Sequence, residues 1–299
     1  MRKTHTKTLR PDHSFRPNQR LLSHAVKNLM KTRTFHHNAS EVDWYCELRG
    51  GGPSVVLMPS GEGDCASFQT VAEDLSNDFT VLTFDMPGFS RSGPPSEFGR
   101  VTATILASQI AALVCALDLA PAAFYGCSSA GLAALSLVAR HPEIVRNAIV
   151  HEAALLKDSV PPDAAVALFV LNDLDDAAIV KRCRDLFRNE FNSNMRAWDA
   201  IGHDYHRRLE KNYVTWVRHY LWAGLADHAY TAQELICRPI SWSVGGLRDS
   251  WIVATNVEVA GRANLKVESL PCRHFPQVEI PDLLAARIRA QTKANLVRT

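Results

Sequence analysis

Tyr125-Gly126-Cys127-Ser128-Ser129-Ala130-Gly131 stands where an apolar run, Ala122–Tyr125, meets an apolar helical pattern that continues from Ser129 to Ala139. A serine flanked by small residues at such a junction has the form G-x-S-x-G, with Ala130 in place of the last glycine. The turn has to be tight. The serine is held in a strained conformation that lifts its hydroxyl above a sheet, and small neighbours let strand and helix approach. The amides that open the helix then face any negative charge developing on a substrate. Taken alone, the heptapeptide also fits a Gly/Ser-rich turn without chemistry, so its context decides.

Outward from this turn the chain alternates. Toward the N-terminus, Val42–Leu48 is extended and Gly50-Gly51-Gly52-Pro53 turns into the apolar run Ser54–Met58. The loop Pro59–Asp64, a helix through Phe68–Leu75, the apolar run Thr80–Phe84, a loop Asp85–Pro95 and an amphipathic helix over Val101–Leu117 follow. Short continuous apolar runs suit strands buried on both faces, and their alternation with helices predicts a parallel sheet with crossover connections. After the serine's helix comes a strand, Asn147–His151; strand character then vanishes until Ile240–Val244 and Asn264–Ser269, which precede a loop at Pro271–Pro276 and a helix after Pro281. The pattern predicts an α/β-hydrolase fold, a mostly parallel, doubly wound sheet. Its core is expected at 41–153 and 236–299, with a helical cap inserted at 154–235 and a basic, disordered N-terminal extension over 1–40.

Composition narrows the class. The 33 Lys and Arg against 31 Asp and Glu give a net charge of +2, too balanced for a broad nucleic-acid or membrane-binding face. Residues 1–34 hold nine basic residues and one acidic, so the remainder is net acidic. Seven cysteines form no C-x-x-C pair and no zinc-type Cys/His spacing, which predicts reduced thiols in a cytoplasmic enzyme. The Arg-rich, acid-poor start also suits an organelle transit peptide, and no apolar run reaches the ~18 residues of a membrane span.

A serine hydroxyl needs a base. Of the twelve histidines, His274 is the one placed late in the chain, in a loop between the last strand and the last helix. Two acids compete to orient it: Glu152, directly after the strand Asn147–His151, and Asp249, after Ile240–Val244, the usual position for this fold. Donors for an oxyanion are expected from the amide of Ser129 and, in the loop Pro59-Ser60-Gly61-Glu62-Gly63, from Gly61. The insert is rich in aromatics, among which Trp216 and Tyr220, four apart on one helix face, are the candidates for a bulky apolar substrate.

At these residues the sequence resembles the fungal zearalenone hydrolases, which cut the macrocyclic lactone of an oestrogenic mycotoxin. The matching stretches are Thr83-Phe84-Asp85-Met86-Pro87-Gly88 with Ser90-Arg91-Ser92, Gly126-Cys127-Ser128-Ser129, His151-Glu152, Leu171-Asn172-Asp173, Lys211-Asn212-Tyr213 with Trp216, Trp242-Ser243-Val244-Gly245, and His274-Phe275-Pro276. The resemblance implies a triad of Ser128, Glu152 and His274, with Glu152 rather than Asp249 as the acid. It places the oxyanion hole at Gly61 and Ser129, substrate contact at Trp216, and pocket positions at Phe169, Val170 and Tyr220. It also implies a homodimer and a lactone substrate whose opened product loses its new carboxyl as carbon dioxide; the serine chemistry itself requires no metal or organic cofactor. The sequence departs from the family pattern at Ala130, where the family has glycine, at Ser60, where it has an acidic residue beside the oxyanion glycine, at Ala153-Ala154, where it has Leu-Pro, and around Leu221–Gly224; these positions bear on the pocket. The residues by themselves also admit a carboxylesterase or a carbon–carbon bond hydrolase of the same fold, a butenolide-receptor-like ligand-binding protein, or a catalytically silent scaffold.

Overall fold

The computed structural model describes residues 32–156, 161–223, 228–247 and 250–296. Eight strands form one sheet in the order β1-β2-β4-β3-β5-β6-β7-β8. They are β1 (Arg33–Ala39), β2 (Val42–Gly50), β3 (Ser54–Met58), β4 (Thr80–Phe84), β5 (Ala122–Cys127), β6 (Val145–His151), β7 (Ile240–Gly245) and β8 (Val267–Leu270). The first two pair antiparallel, β2 meets β4 antiparallel, and all remaining pairs are parallel.

The apolar runs explain themselves in this sheet. Val56 and Met58 of β3 pack into the larger core, while Val55 and Leu57, pointing the other way, join Phe68, Val71, Leu75, Leu284 and Ile288 beneath helices on the opposite face. A strand buried on both faces has no polar register to show. Those helices are α1 (Gln69–Leu75) and α10 (Pro281–Ala294); between them in sequence lie α2 (Ala103–Ala116), α3 (Ser128–Arg140), cap helices α4 (Pro162–Asp173), α5 (Asp176–Asp185), α6 (Met195–Ala200) and α7 (His203–Thr215), then α8 (Trp251–Arg262) and the short α9 (Pro276–Glu279). Short polar side chains set several starts: Thr102 accepts from Ile105 N at 3.1 Å, Asp175 from Ala178 N at 2.8 Å and Asn194 from Ala197 N at 3.0 Å.

Two boundaries differ from expectation. The sheet begins at Arg33, inside the segment expected to be a disordered extension. β1 pairs with β2 from Arg33↔Leu48 to Ala39↔Val42, turning through Ser40 and Glu41, both at positive φ as a two-residue hairpin turn requires. It is an edge strand with exposed polar side chains, so it lacks an apolar run. The last strand starts at Val267 rather than Asn264, because Asn264 adopts φ +55° and terminates α8 in the left-handed conformation. Residues 1–31 lie outside the described residues. All seven cysteines are free, and no helix among the described residues is long and apolar enough to cross a membrane.

Strand order reverses at β3, and the loops leaving the C-terminal ends of β3, β5, β6 and β8 converge there, which is where open α/β sheets gather their ligands.

Candidate active site

Ser128 opens α3 at φ +55°, the strained backbone its sequence context predicts. Its amide donates to Glu152 O at 3.1 Å, and its carbonyl accepts from Ala154 N at 2.9 Å, so the turn is stitched to the loop after β6. Gly126 is obligatory: a Cβ there would lie 2.2 Å from the Ala130 carbonyl oxygen. At Ala130 the methyl group is fully buried, so the departure from G-x-S-x-G is accommodated.

Glu152 leaves β6 at φ +40°, with its amide donating to Ser243 O at 3.0 Å. One carboxylate oxygen accepts from Gly245 N at 2.7 Å and the other meets His274 Nδ1 at 2.5 Å. Both side chains are almost fully buried. Burial alone would raise the Glu152 carboxyl; the hydrogen bond and charge of His274, with His151 and the Gly245 amide, outweigh it and hold the group below its ordinary value. A charged carboxylate is therefore presented to His274. Asp249, the alternative acid, lies outside the described residues.

The His274 loop is anchored on three sides. His274 N donates to Phe191 O at 3.0 Å and Cys127 Sγ donates to His274 O at 2.9 Å. Beneath it, the His151 ring bridges Ser243 Oγ at 3.0 Å and Arg273 O at 3.2 Å. Burial pushes His151 down to about 4, so it serves as a neutral hydrogen-bonding strut. Ser128 and His274 share one cavity wall, with no hydrogen bond between them among the described residues. Such spacing is frequent in hydrolases before substrate tightens the site.

The loop after β3 carries Gly61. A Cβ at Gly61 would lie 2.8 Å from Trp216 Nε1, so only glycine lets the cap tryptophan close over this backbone. Ser60 is buried and its carbonyl accepts from Gly63 N at 3.0 Å. The loop is bound to the cap by Asn212 of α7, wholly buried, whose Nδ2 donates to Glu62 O at 2.7 Å and to Ser90 Oγ at 2.8 Å while its Oδ1 accepts from Ser90 N at 2.8 Å. Next to it, Asp64 accepts from Arg208 Nε of α7 at 2.6 Å, and Arg91 spans Asp64 at 3.4 Å and Asp85 at 2.6 Å. Sequence reasoning assigned roles to none of Asn212, Asp64 and Arg208. Their partners come from distant segments, and no local spacing announces them.

Above the serine lies an apolar cavity of about 90 Å³, whose lining includes Ser128, Ser129, Trp216, Tyr220 and His274. It adjoins a second of about 160 Å³ across Leu168, Phe191, Trp251, Ile252 and His274. Trp216–Tyr220 is a single π-helical turn closed by Leu221 N→Trp216 O at 2.9 Å, and Tyr220 Oη donates to Pro87 O at 2.7 Å. Both expected aromatics thus reach the cavity. Phe169 and Val170 do not: they are 54% and 51% exposed, Phe169 stacks on Trp222, and Leu168 takes the inward place. Among the described residues no group of His, Cys, Asp and Glu could hold a metal ion.

A strained serine at a strand–helix turn, a buried acid–base pair and a capped apolar cavity define an alpha/beta hydrolase, and residues 53–198 match that family. The chain is 34% identical over 89% of its length to the whole of the zearalenone hydrolase of Bionectria ochroleuca. It is 36% identical over 85% of its length to 94% of the zearalenone hydrolase of Cladophialophora bantiana. The chain belongs to the zearalenone hydrolase family. The fold is shared more widely: the enol-lactonase from Burkholderia xenovorans LB400 superimposes with a TM-score of 0.68 at 19% identity, covering 87% of this chain and 100% of its own.

Proposed function

We propose that this enzyme opens the macrocyclic lactone of zearalenone, or of a related resorcylic acid lactone, through an acyl-enzyme on Ser128. The observation that carries the reading is the 2.5 Å Glu152–His274 pair set beside Ser128 on the wall of an apolar, aromatic-lined cavity. The relatives' activity on zearalenone supports the choice of substrate.

The chemistry follows from the arrangement. The lactone carbonyl lies over Ser128 with its oxygen toward the amides of Gly61 and Ser129. His274 takes the serine proton as Oγ attacks, and Glu152 steadies the imidazolium. The tetrahedral intermediate collapses with cleavage of the ring C–O bond, and His274 returns the proton to the leaving alkoxide. A water deprotonated by the same histidine then attacks the acyl-enzyme and releases the acid. The cycle consumes one water and leaves the enzyme unchanged.

The test is liquid chromatography of zearalenone incubated with wild type, Ser128→Ala and Glu152→Ala. Disappearance with wild type alone supports both substrate and triad. Persistence with wild type, while a simple aryl ester is cleaved in a Ser128-dependent way, rejects the substrate and leaves an esterase.

A further inference from the structure

Glu62 sits inside the oxyanion loop, between Gly61 and Gly63, and its side chain is fully buried. Its Oε1 accepts from Ser67 Oγ at 3.2 Å and, at 3.5 Å, from Gln277 Nε2 of α9, three residues beyond His274. Its Oε2 is buried without a partner among the described residues, and so is Gln277 Oε1. Two orphaned acceptors on side chains already in contact are costly. One proton removes both. A protonated Glu62 donates from Oε2 to Gln277 Oε1 while Gln277 Nε2 donates back to Oε1, the closed ring of a carboxylic acid and an amide.

We propose that Glu62 is a positioning residue whose buried carboxyl, protonated and paired with Gln277, ties the loop of Gly61 to the loop of His274. Loss of that proton lowers activity, by placing an anion next to the hole that must receive the oxyanion. The functional half of this statement rests on the acyl-transfer reading above; the structural half does not. The titratable groups around Glu62 are His274, Tyr125 and Cys127 at the ends of β8 and β5, and Tyr205 and Tyr213 of α7. Burial raises the Glu62 carboxyl to about 7, against smaller opposing effects of the Glu62 and Ser60 amides, Ser67 and His274.

Two measurements on wild type and Glu62→Gln test this, since glutamine keeps the shape and the ring of hydrogen bonds without the titration. The first is urea unfolding between pH 4.5 and 8. Because the folded state holds this proton more tightly, wild type loses stability relative to Glu62→Gln as pH rises from 4.5 to about 7, by up to ~300-fold in the ratio of their unfolding constants. Parallel curves for the two proteins overturn the proposal whatever the substrate proves to be. The second is kcat/KM between pH 6 and 9, on zearalenone or on the aryl ester. The ratio of mutant to wild type rises about tenfold with pH, the effect of one charge near a developing oxyanion, and a flat ratio overturns the catalytic half. Ser67→Ala, which removes a donor that favours the anion, shifts both transitions to higher pH.

Discussion

Asn212→Ala removes the side chain that binds the cap to the loop of Gly61. Alanine leaves the Glu62 carbonyl and the Ser90 amide without the partners they have at 2.7 and 2.8 Å, whereas Ser90 Oγ keeps its bond to Asp64 at 2.7 Å. A buried backbone group stripped of its partner costs about 1–3 kcal/mol. The Glu62 carbonyl lies in a wholly buried residue and Ser90 is half-buried, so the two together cost about 3 to 4 kcal/mol. The activity falls as well, by about 10-fold or more, because the Glu62–Gly63 peptide is no longer pinned and the loop that carries the Gly61 amide shifts from the position proposed for the oxyanion. Urea unfolding followed by tryptophan fluorescence gives the first number, and kcat/KM at one pH the second. Destabilisation below about 1 kcal/mol with unchanged kcat/KM refutes the argument. Asn212→Asp sharpens it: the acceptor for Ser90 N survives, but an oxygen faces the Glu62 carbonyl, so the variant fares no better than alanine.

Further outcomes follow from the same geometry. Glu152→Gln keeps the shape of the acid but no longer steadies the His274 imidazolium, and lowers kcat by about 10³- to 10⁴-fold with a small effect on KM, measured by steady-state kinetics. Gly61→Ala drives a methyl group against Trp216 Nε1, 2.8 Å away, and costs about 10²- to 10³-fold in kcat by displacing the proposed oxyanion donor, while circular dichroism shows the fold intact. His151, held at about 4 against an ordinary 6.5, takes up a proton on unfolding between those values, so its contribution to stability falls by about 3 kcal/mol as pH drops through that window. His151→Gln flattens this acid limb in urea unfolding; an unchanged limb assigns it to other groups.

The sheet was legible because its central strands are buried on both faces and are therefore continuous apolar runs, and Ser128 because strain at a strand–helix turn demands small neighbours at fixed offsets. β1 was not, since an edge strand with water on one side carries no such run. Glu152 as the acid rests on the resemblance: chain order favours neither acid, and the usual place for it in this fold leans to Asp249. In the cap, α4 is apolar on nearly all sides, so its sequence does not say which face turns inward; Leu168 and Leu171 do, and Phe169 and Val170 do not. Asn212 was hardest to read, because what matters is a carbonyl 150 residues away.

The ion pairs at the cap's base bear on how this enzyme can be re-engineered. Asp64 and Asp85 are both wholly buried in the core; Arg91 reaches both, and Arg208, which belongs to the insert, reaches Asp64. Grafting a foreign lid onto this scaffold takes away one cation and leaves two interior anions with a single counter-charge. A buried pair deprived of one member is penalised far more than one that was never built. Chimeras made by exchanging 154–235 therefore need Asp64 replaced by a neutral residue in the same step, and recombination libraries that cross over inside the sheet are expected to keep Asp64 and Arg208 from the same parent.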